Sequence, residues 1–133
     1  MTPQFLRFGL VGVAGYLVDS GVLYAALGLG AGTTVGRMVS FLSAVLATWL
    51  LNRKFTFERP AHEHGVSALL REWMKYLAAM SVGGLLNLAT FAAIMATNTY
   101  HWSLPALGVA AGSLVGMLAN FAGAKWWVYR QRA

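Results

Sequence analysis

The sequence predicts an all-α integral membrane protein. It should have four transmembrane helices, built as two parallel helical-hairpin repeats, with both termini in the cytoplasm. Three observations support this fold class. Of 133 residues, 58% are hydrophobic and only 11% are charged, whereas soluble domains carry about 25% charged residues. Four apolar runs are each long enough to cross a hydrocarbon core of about 30 Å as a helix. Basic residues are concentrated at alternate ends of these runs. We therefore expect residues 1–133 to form a single transmembrane domain.

The first apolar run, residues 7–29, contains one acidic residue, Asp19. An ionised carboxylate inside a membrane costs about 2.5–3.5 kcal/mol on insertion scales, so Asp19 should face protein, water or a counter-charge. The run is longer than the apolar part of a secretory signal, and its Gly-rich end lacks a clear small-x-small cleavage site. We expect it to remain as a span.

The second run, residues 33–51, is interrupted only by Arg37. Asp19 lies about 18 Å above Arg7, and Arg37 about 24 Å above Arg53, by the rise of a helix. Neighbouring antiparallel helices could therefore bring Asp19 and Arg37 together. Such a pair could be structural, or Arg37 could extend alone towards the outer surface. Asp19 could instead act in proton coupling or contact a polar group in transit.

A charged connector, residues 53–72, should be loop-like, and Pro60 should stop a helix within it. The third run, residues 73–97, has Lys75 at its entrance, and the fourth, 102–124, has no charge before Lys125. The positive-inside rule places both termini and this connector in the cytoplasm. Aromatic residues at the run ends fit an inner belt (Trp73, Tyr76, Trp126, Trp127, Tyr129) and an outer belt (Tyr100, Trp102).

The two halves resemble each other, with repeat one at about 5–57 and repeat two at about 73–129. At an offset of 68 residues, Asp19 aligns with Asn87. At an offset of 72, Thr48 aligns with Asn120 and Arg53 with Lys125. Small residues also recur every four positions in the second helix of each half, which favours close helix packing. Their members are Gly36, Ser40, Ala44 and Thr48 in one half, and Gly108, Gly112, Gly116 and Asn120 in the other.

Little in the sequence indicates catalysis or a cofactor. Cysteine is absent, and no nucleophile–base arrangement or Gly-Lys-Ser/Thr phosphate loop is present. Adjacent His62, Glu63 and His64 make a poor metal-ligand set and are expected in a solvated loop. The net charge of +6 comes from basic residues between and after apolar runs, which does not suit nucleic-acid binding. We expect no enzyme, no cofactor, no metal and no nucleic-acid partner.

The inner basic residues permit two interpretations. They could set topology and attract anionic membrane lipid, at about 1 kcal/mol per residue. They could also capture a lipid phosphate, for which arginine is well shaped. These residues are Arg53, Lys54, Lys75, Lys125 and Arg130.

Several motifs resemble the GtrA-like family. The first is Arg7-Phe8 followed by Gly12, Gly15 and Asp19. The other two are the segments at the ends of the second and fourth apolar runs, Asn52 to Phe57 and Asn120 to Tyr129, which we call the exits. The resemblance covers about residues 4–130. The first repeat departs from it, with Thr48-Trp49 where the second has Asn120-Phe121.

The resemblance implies a small bacterial inner-membrane protein of cell-surface polysaccharide or O-antigen synthesis. Such proteins are proposed to move polyprenyl-phosphate-linked sugars, such as undecaprenyl ones, to the outer leaflet for a membrane glycosyltransferase. Because four helices can scarcely enclose a sugar phosphate, we expect a homodimer or other homo-oligomer with a groove open to lipid. The expected substrate-binding residues are Asp19, Arg37, Asn87, Asn120, Arg53, Lys54, Lys75 and Lys125.

Two other functions remain open. The chain could be a non-transporting accessory or anchoring subunit of a membrane glycosyltransferase. It could also resemble the small proton-coupled multidrug exporters, which have four spans and an acid in the first. Arg37 at similar depth would repel the cations of such an exporter.

Overall fold

The computed structural model describes residues 2–57, 65–97 and 104–130, and these residues are almost entirely helical. They form four α-helices in chain order: α1 (Thr2–Gly28), α2 (Thr33–Leu51), α3 (Val66–Met95) and α4 (Leu104–Gly123). Two short π-helices, π1 (Asn52–Thr56) and π2 (Ala124–Val128), continue α2 and α4. No strand occurs in these described ranges. The chain divides into two compact units, Met1–Gly65 and Val66–Arg132, and each unit is a helical hairpin.

Helix length and composition agree with a membrane protein. Among the described residues, α1, α2 extended through π1, and α3 are long and apolar enough to cross a membrane. The fourth helix has 20 residues and no charged side chain, which corresponds to a length of about 30 Å. The expectation of an all-helical membrane domain is therefore confirmed.

In the first hairpin, α1 packs on α2 around a core that includes Phe8, Val11, Val45 and Trp49. The turn between the helices is a Schellman motif. Gly30 N–H donates to the Leu27 carbonyl at 3.0 Å, and Ala31 N–H donates to the Ala26 carbonyl at 2.9 Å. Gly30 has a φ of +88°, which a residue with a Cβ adopts only at a steric cost. This turn reverses the chain and places Arg37 back beside α1.

In the second hairpin, α3 packs on α4 through the small residues that the sequence indicated for packing. A Cβ placed on Gly83 would meet the side chain of Asn120 and lie 2.9 Å from the Gly116 carbonyl oxygen. Near the other end of the interface, a Cβ on Gly123 would lie 3.0 Å from that of Ala79. The predicted stripe of small residues in this hairpin is thus used for contact within the hairpin itself.

Both hairpins close in the same way, with a π turn and an aromatic pair. Phe57 N–H donates to the Asn52 carbonyl, and Tyr129 N–H donates to the Ala124 carbonyl, each at 2.9 Å. Phe57 then meets Phe8 with a centroid distance of 6.1 Å and an interplanar angle of 71°. Tyr129 meets Tyr76 at 6.3 Å and 61°. Edge-to-face packing of this kind is favourable for aromatic rings.

Helix ends differ from the sequence expectation in three places. The helix π1 continues α2 to Thr56, into the expected connector. The first helix begins at Thr2 instead of residue 7, and α3 begins at Val66. The last seven residues of the expected loop, 66–72, are therefore helical, because apolar residues such as Leu69 recur there without a helix breaker. Other features of the connector and of the second turn lie outside the described residues: Arg59, Pro60, the His62–Glu63–His64 cluster, Tyr100 and Trp102. Arg132 lies outside them as well.

Candidate functional site

The first hairpin contains an ion pair within its apolar helices. Arg37 Nη1 lies 3.1 Å from Asp19 Oδ1 and 3.3 Å from Oδ2. The Arg37 side chain is 52% exposed and that of Asp19 is 24% exposed. The structure thus brings together two candidate site residues that the sequence placed at similar depth. One guanidinium nitrogen, Nη1, makes both contacts, and arginine carries five N–H donors, so the pair retains capacity to bind a ligand.

The second hairpin has no corresponding ion pair among its described residues. Asn87, which aligns with Asp19, packs its side chain over Gly112, and the Asn87 carbonyl oxygen lies 2.6 Å from the position of a Cβ on Gly112. By the 72-residue offset, Val109 occupies the sequence position of Arg37. Asn87 therefore contributes to helix packing here, and the charge is confined to the first hairpin in this part of the chain.

Asn120 also packs within its own hairpin. Its side chain lies against Gly83, and its Oδ1 atom is buried without a hydrogen-bond donor in the described part of the molecule. Thr48, the aligned residue of the first hairpin, packs in the same way against Gly15. An unsatisfied buried carbonyl oxygen costs free energy, so Asn120 Oδ1 could accept a hydrogen bond from a ligand or a rearranged neighbour.

The basic residues at the hairpin ends lie beside aromatic rings. Arg53 lies 5.7 Å from the ring centroid of Trp49, and Lys54 lies 5.2 Å from that of Phe55. In the second hairpin, Lys125 lies 5.7 Å from the Phe121 ring and 5.9 Å from the Trp126 ring. Lys75 lies on α3 and is half-buried. These cation–π contacts hold positive charge within π1 and π2.

Arg7 has a role that the sequence did not predict. Its Nη1 donates to the Phe55 carbonyl at 3.4 Å, and Gln4 Nε2 donates to the Thr56 carbonyl at 3.3 Å. The start of α1 therefore satisfies carbonyl groups at the end of π1, which no intrahelical donor can reach. The sequence had indicated Arg7 only as a basic residue at the amino end and as part of the Arg7-Phe8 motif. The available signal was that the positive-inside rule predicts the same side of the membrane for Arg7 and for the end of the second helix.

The expected inner aromatic belt is only partly correct. Trp126 and Trp127 are 61% and 51% exposed, as an interfacial belt requires. Tyr76 and Tyr129 are 0% and 3% exposed and form the core of the second hairpin. Their assignment to a lipid-facing belt was wrong because π2 turns Tyr129 inward, where its ring packs against that of Tyr76 on α3.

Together, these features define a class: a helical membrane protein of short hairpins, with basic and aromatic residues at the hairpin ends and a charged pair, Arg37–Asp19, within its apolar helices. A family model described as "GtrA/DPMS, transmembrane domain" matches residues 7–129. The chain belongs to this GtrA/DPMS transmembrane-domain family, as its motifs predicted. No curated protein matches it significantly.

Proposed function

We propose that the protein translocates a polyprenyl-phosphate-linked sugar from the cytoplasmic to the outer leaflet of a bacterial inner membrane. The product would serve cell-surface polysaccharide or O-antigen glycosylation by a membrane glycosyltransferase. The family supports a membrane protein of polyprenyl-phosphate sugar chemistry. The observation that carries the proposal is the Arg37–Asp19 pair at 3.1 Å, which remains partly exposed within apolar helices.

In this proposal the phosphate first meets the basic hairpin ends. Arg53, Lys54, Lys75 and Lys125 supply positive charge there, and the fork of a guanidinium matches phosphate oxygens. The prenyl tail remains in lipid throughout, which avoids transferring it through protein. Deeper in the membrane, the head group passes Asp19 and Arg37, which can accept and donate hydrogen bonds. Asn87 and Asn120 are proposed as uncharged amide contacts in the second hairpin.

The proposal includes two parallel repeats with both termini and the middle connector in the cytoplasm. Three local features support the repeat. The π-helices are 72 residues apart, the aromatic pairs Phe8–Phe57 and Tyr76–Tyr129 align, and Gly15–Thr48 aligns with Gly83–Asn120. Parallel repeats are a known transporter construction.

We further propose a homodimer or other homo-oligomer with a groove open to lipid, because four helices are too few to surround a charged head group. Cross-linking in native membranes should recover dimers. Recovery of monomer alone would contradict this part of the proposal.

The test is leaflet exchange of a labelled polyprenyl-phosphoryl sugar in proteoliposomes. The samples are wild type, Asp19→Asn, Arg37→Gln and empty vesicles, with Ser81→Ala as the control. The Ser81 hydroxyl donates only to its own helix, at 2.9 Å from the Leu77 carbonyl oxygen. We expect exchange by wild type and Ser81→Ala, and loss towards the empty-vesicle rate in Asp19→Asn and Arg37→Gln proteins that still fold.

Other outcomes distinguish the alternatives. Lipid exchange that is unaffected by Asp19→Asn would support translocation and indicate that Asp19 has a structural role. No exchange above empty vesicles, combined with co-purification of a glycosyltransferase, would favour the accessory subunit. Drug-dependent proton release would favour a multidrug exporter. The contact of Arg37 with both Asp19 oxygens argues against that exporter, because it occupies the carboxylate that a cationic drug would need.

A further inference from the structure

Further polar groups accompany Asp19 along α1. Tyr16, Ser20 and Tyr24 follow one another at four-residue spacing, which makes them neighbours on the helix surface. Tyr16 is also three residues from Asp19, so the ion pair adjoins this row. Tyr16 and Tyr24 are 69% and 76% exposed. We call Tyr16, Asp19, Ser20, Tyr24 and the Arg37 guanidinium the polar track.

The depth of Tyr16 is unusual for an exposed tyrosine. By helical rise it lies about 14 Å above Arg7, close to the middle of a hydrocarbon core of about 30 Å. Tyrosines are enriched at membrane interfaces, where the hydroxyl reaches water. That explanation suits Tyr24, about 26 Å above Arg7, and does not suit Tyr16. A phenol hydroxyl in hydrocarbon needs a partner, and Tyr16 has none among the described residues.

The second hairpin shows that the fold does not require these groups. At the 68-residue offset, Gly84 aligns with Tyr16, Leu88 with Ser20 and Ala92 with Tyr24. The packing features described above occur in both hairpins, whereas these hydroxyl groups occur in the first alone. A structural requirement of the hairpin would be expected in both halves. The polar track therefore indicates a ligand specific to the first hairpin.

We infer that the polar track binds the sugar of the translocated lipid while the head group crosses the outer half of the membrane. This inference rests on the proposed function and names the part of the substrate that each region contacts. Sugar hydroxyls can donate to the Asp19 carboxylate and accept from Arg37 and from tyrosine hydroxyls. Exposed tyrosine rings present apolar faces to the C–H groups of a sugar. The track extends from mid-membrane at Tyr16 to the outer interface at Tyr24, and contains no second cation that would retain the phosphate.

The test is photolabelling of the purified full chain in lipid nanodiscs with a short-chain polyprenyl-phosphoryl sugar carrying a diazirine on the sugar. Adducts are mapped by peptide mass spectrometry. We expect them at residues 16–24, with competition by the unmodified lipid-linked sugar and little competition by polyprenyl phosphate alone. Adducts only at the basic hairpin ends or in residues 84–92, or no adducts at all, would overturn the inference.

Variants test the hydroxyl groups directly. Tyr16→Phe and Ser20→Ala should each lower labelling about 3- to 10-fold, the value of one or two hydrogen bonds. The control Thr90→Val removes a hydroxyl that donates within its own helix, at 2.7 Å from the Leu86 carbonyl oxygen, and should label like wild type. Unchanged labelling of both track variants would refute the role of their hydroxyl groups.

A second copy of the chain is the competing occupant of this surface. Because the chain has no cysteine, Tyr16→Cys and Ser20→Cys report directly on it. Efficient disulfide-linked dimers through these positions, with no sugar adducts, would overturn the inference. Labelling is also independent of transport. Adducts at the polar track in a protein that does not exchange lipid would support the sugar site and refute translocation. Lipid exchange without such adducts would support translocation and refute the sugar site.

Discussion

At the scale of single residues, both hairpins have a glycine at an aligned position that contacts a polar side chain of the neighbouring helix. Gly15 receives Thr48, and Gly83 receives Asn120. Any Cβ at these glycines would occupy the space of the partner. The pairs explain why glycine stands at these positions within long apolar helices, where alanine is intrinsically the better helix former.

Gly83 and Gly84 offer a matched comparison. Gly83→Ala should destabilise the protein by about 1–3 kcal/mol, the usual cost of overpacking, because the Gly116 carbonyl oxygen at 2.9 Å is backbone and cannot rotate away. Gly84→Ala should be neutral or stabilising, since nothing lies within 4 Å of its Cβ position. The melting temperature of each variant can be measured by heating the protein in detergent and quantifying the folded fraction by size-exclusion chromatography. Equal melting temperatures for the two variants would show that the close contact is unimportant.

At the scale of elements, the π turns decide which aromatic residue of each exit enters the core. Phe57 is 6% exposed, whereas Phe55, two residues earlier, is 52% exposed. The carbonyl groups left at the end of π1 accept from Arg7 and Gln4, so the widened turn is held from α1 as well. A π turn of this kind is often found at functional sites.

Substitution of the two phenylalanines tests this arrangement. Phe57→Ala should cost about 3–5 kcal/mol, as expected for a buried aromatic ring, and lower the melting temperature markedly. Phe55→Ala should cost far less because its ring is half exposed and loses chiefly the contact with Lys54. The same thermal unfolding assay applies. A greater loss for Phe55→Ala than for Phe57→Ala would contradict the packing of π1 on α1.

At the scale of the whole molecule, topology can be tested with single cysteines because the chain has none of its own. Leu29, in the first turn, is 89% exposed, and Ser67, at the start of α3, is also exposed. In intact spheroplasts, a membrane-impermeant maleimide should label Leu29→Cys. It should label Ser67→Cys only after permeabilisation, because the positive-inside rule predicts a cytoplasmic middle connector. Labelling in the opposite order would reverse the topology.

The sequence was sufficient to predict the helices and the family. The helix lengths needed to span a membrane follow from the thickness of the hydrocarbon core, and the low content of charged residues indicates that lipid surrounds the helices. Asp19 and Arg37 could be placed at similar depth by counting helical rise, and the structure brought them together. The motifs at Arg7 to Asp19 and at the two exits predicted the family that residues 7–129 match.

Tertiary structure alone decided which side each residue faces near the hairpin ends. The pattern of Phe55 and Phe57, or of Trp127 and Tyr129, does not state which ring points inward, because a π turn changes the rotation of every residue after it. Tyr129 was therefore misplaced at the lipid interface, and so was Tyr76, whose ring Tyr129 contacts. Apolar residues are stable both in lipid and in a protein core, so the sequence by itself determined that these helices enter the membrane. Packing against glycine and aromatic neighbours determined how they rotate within it.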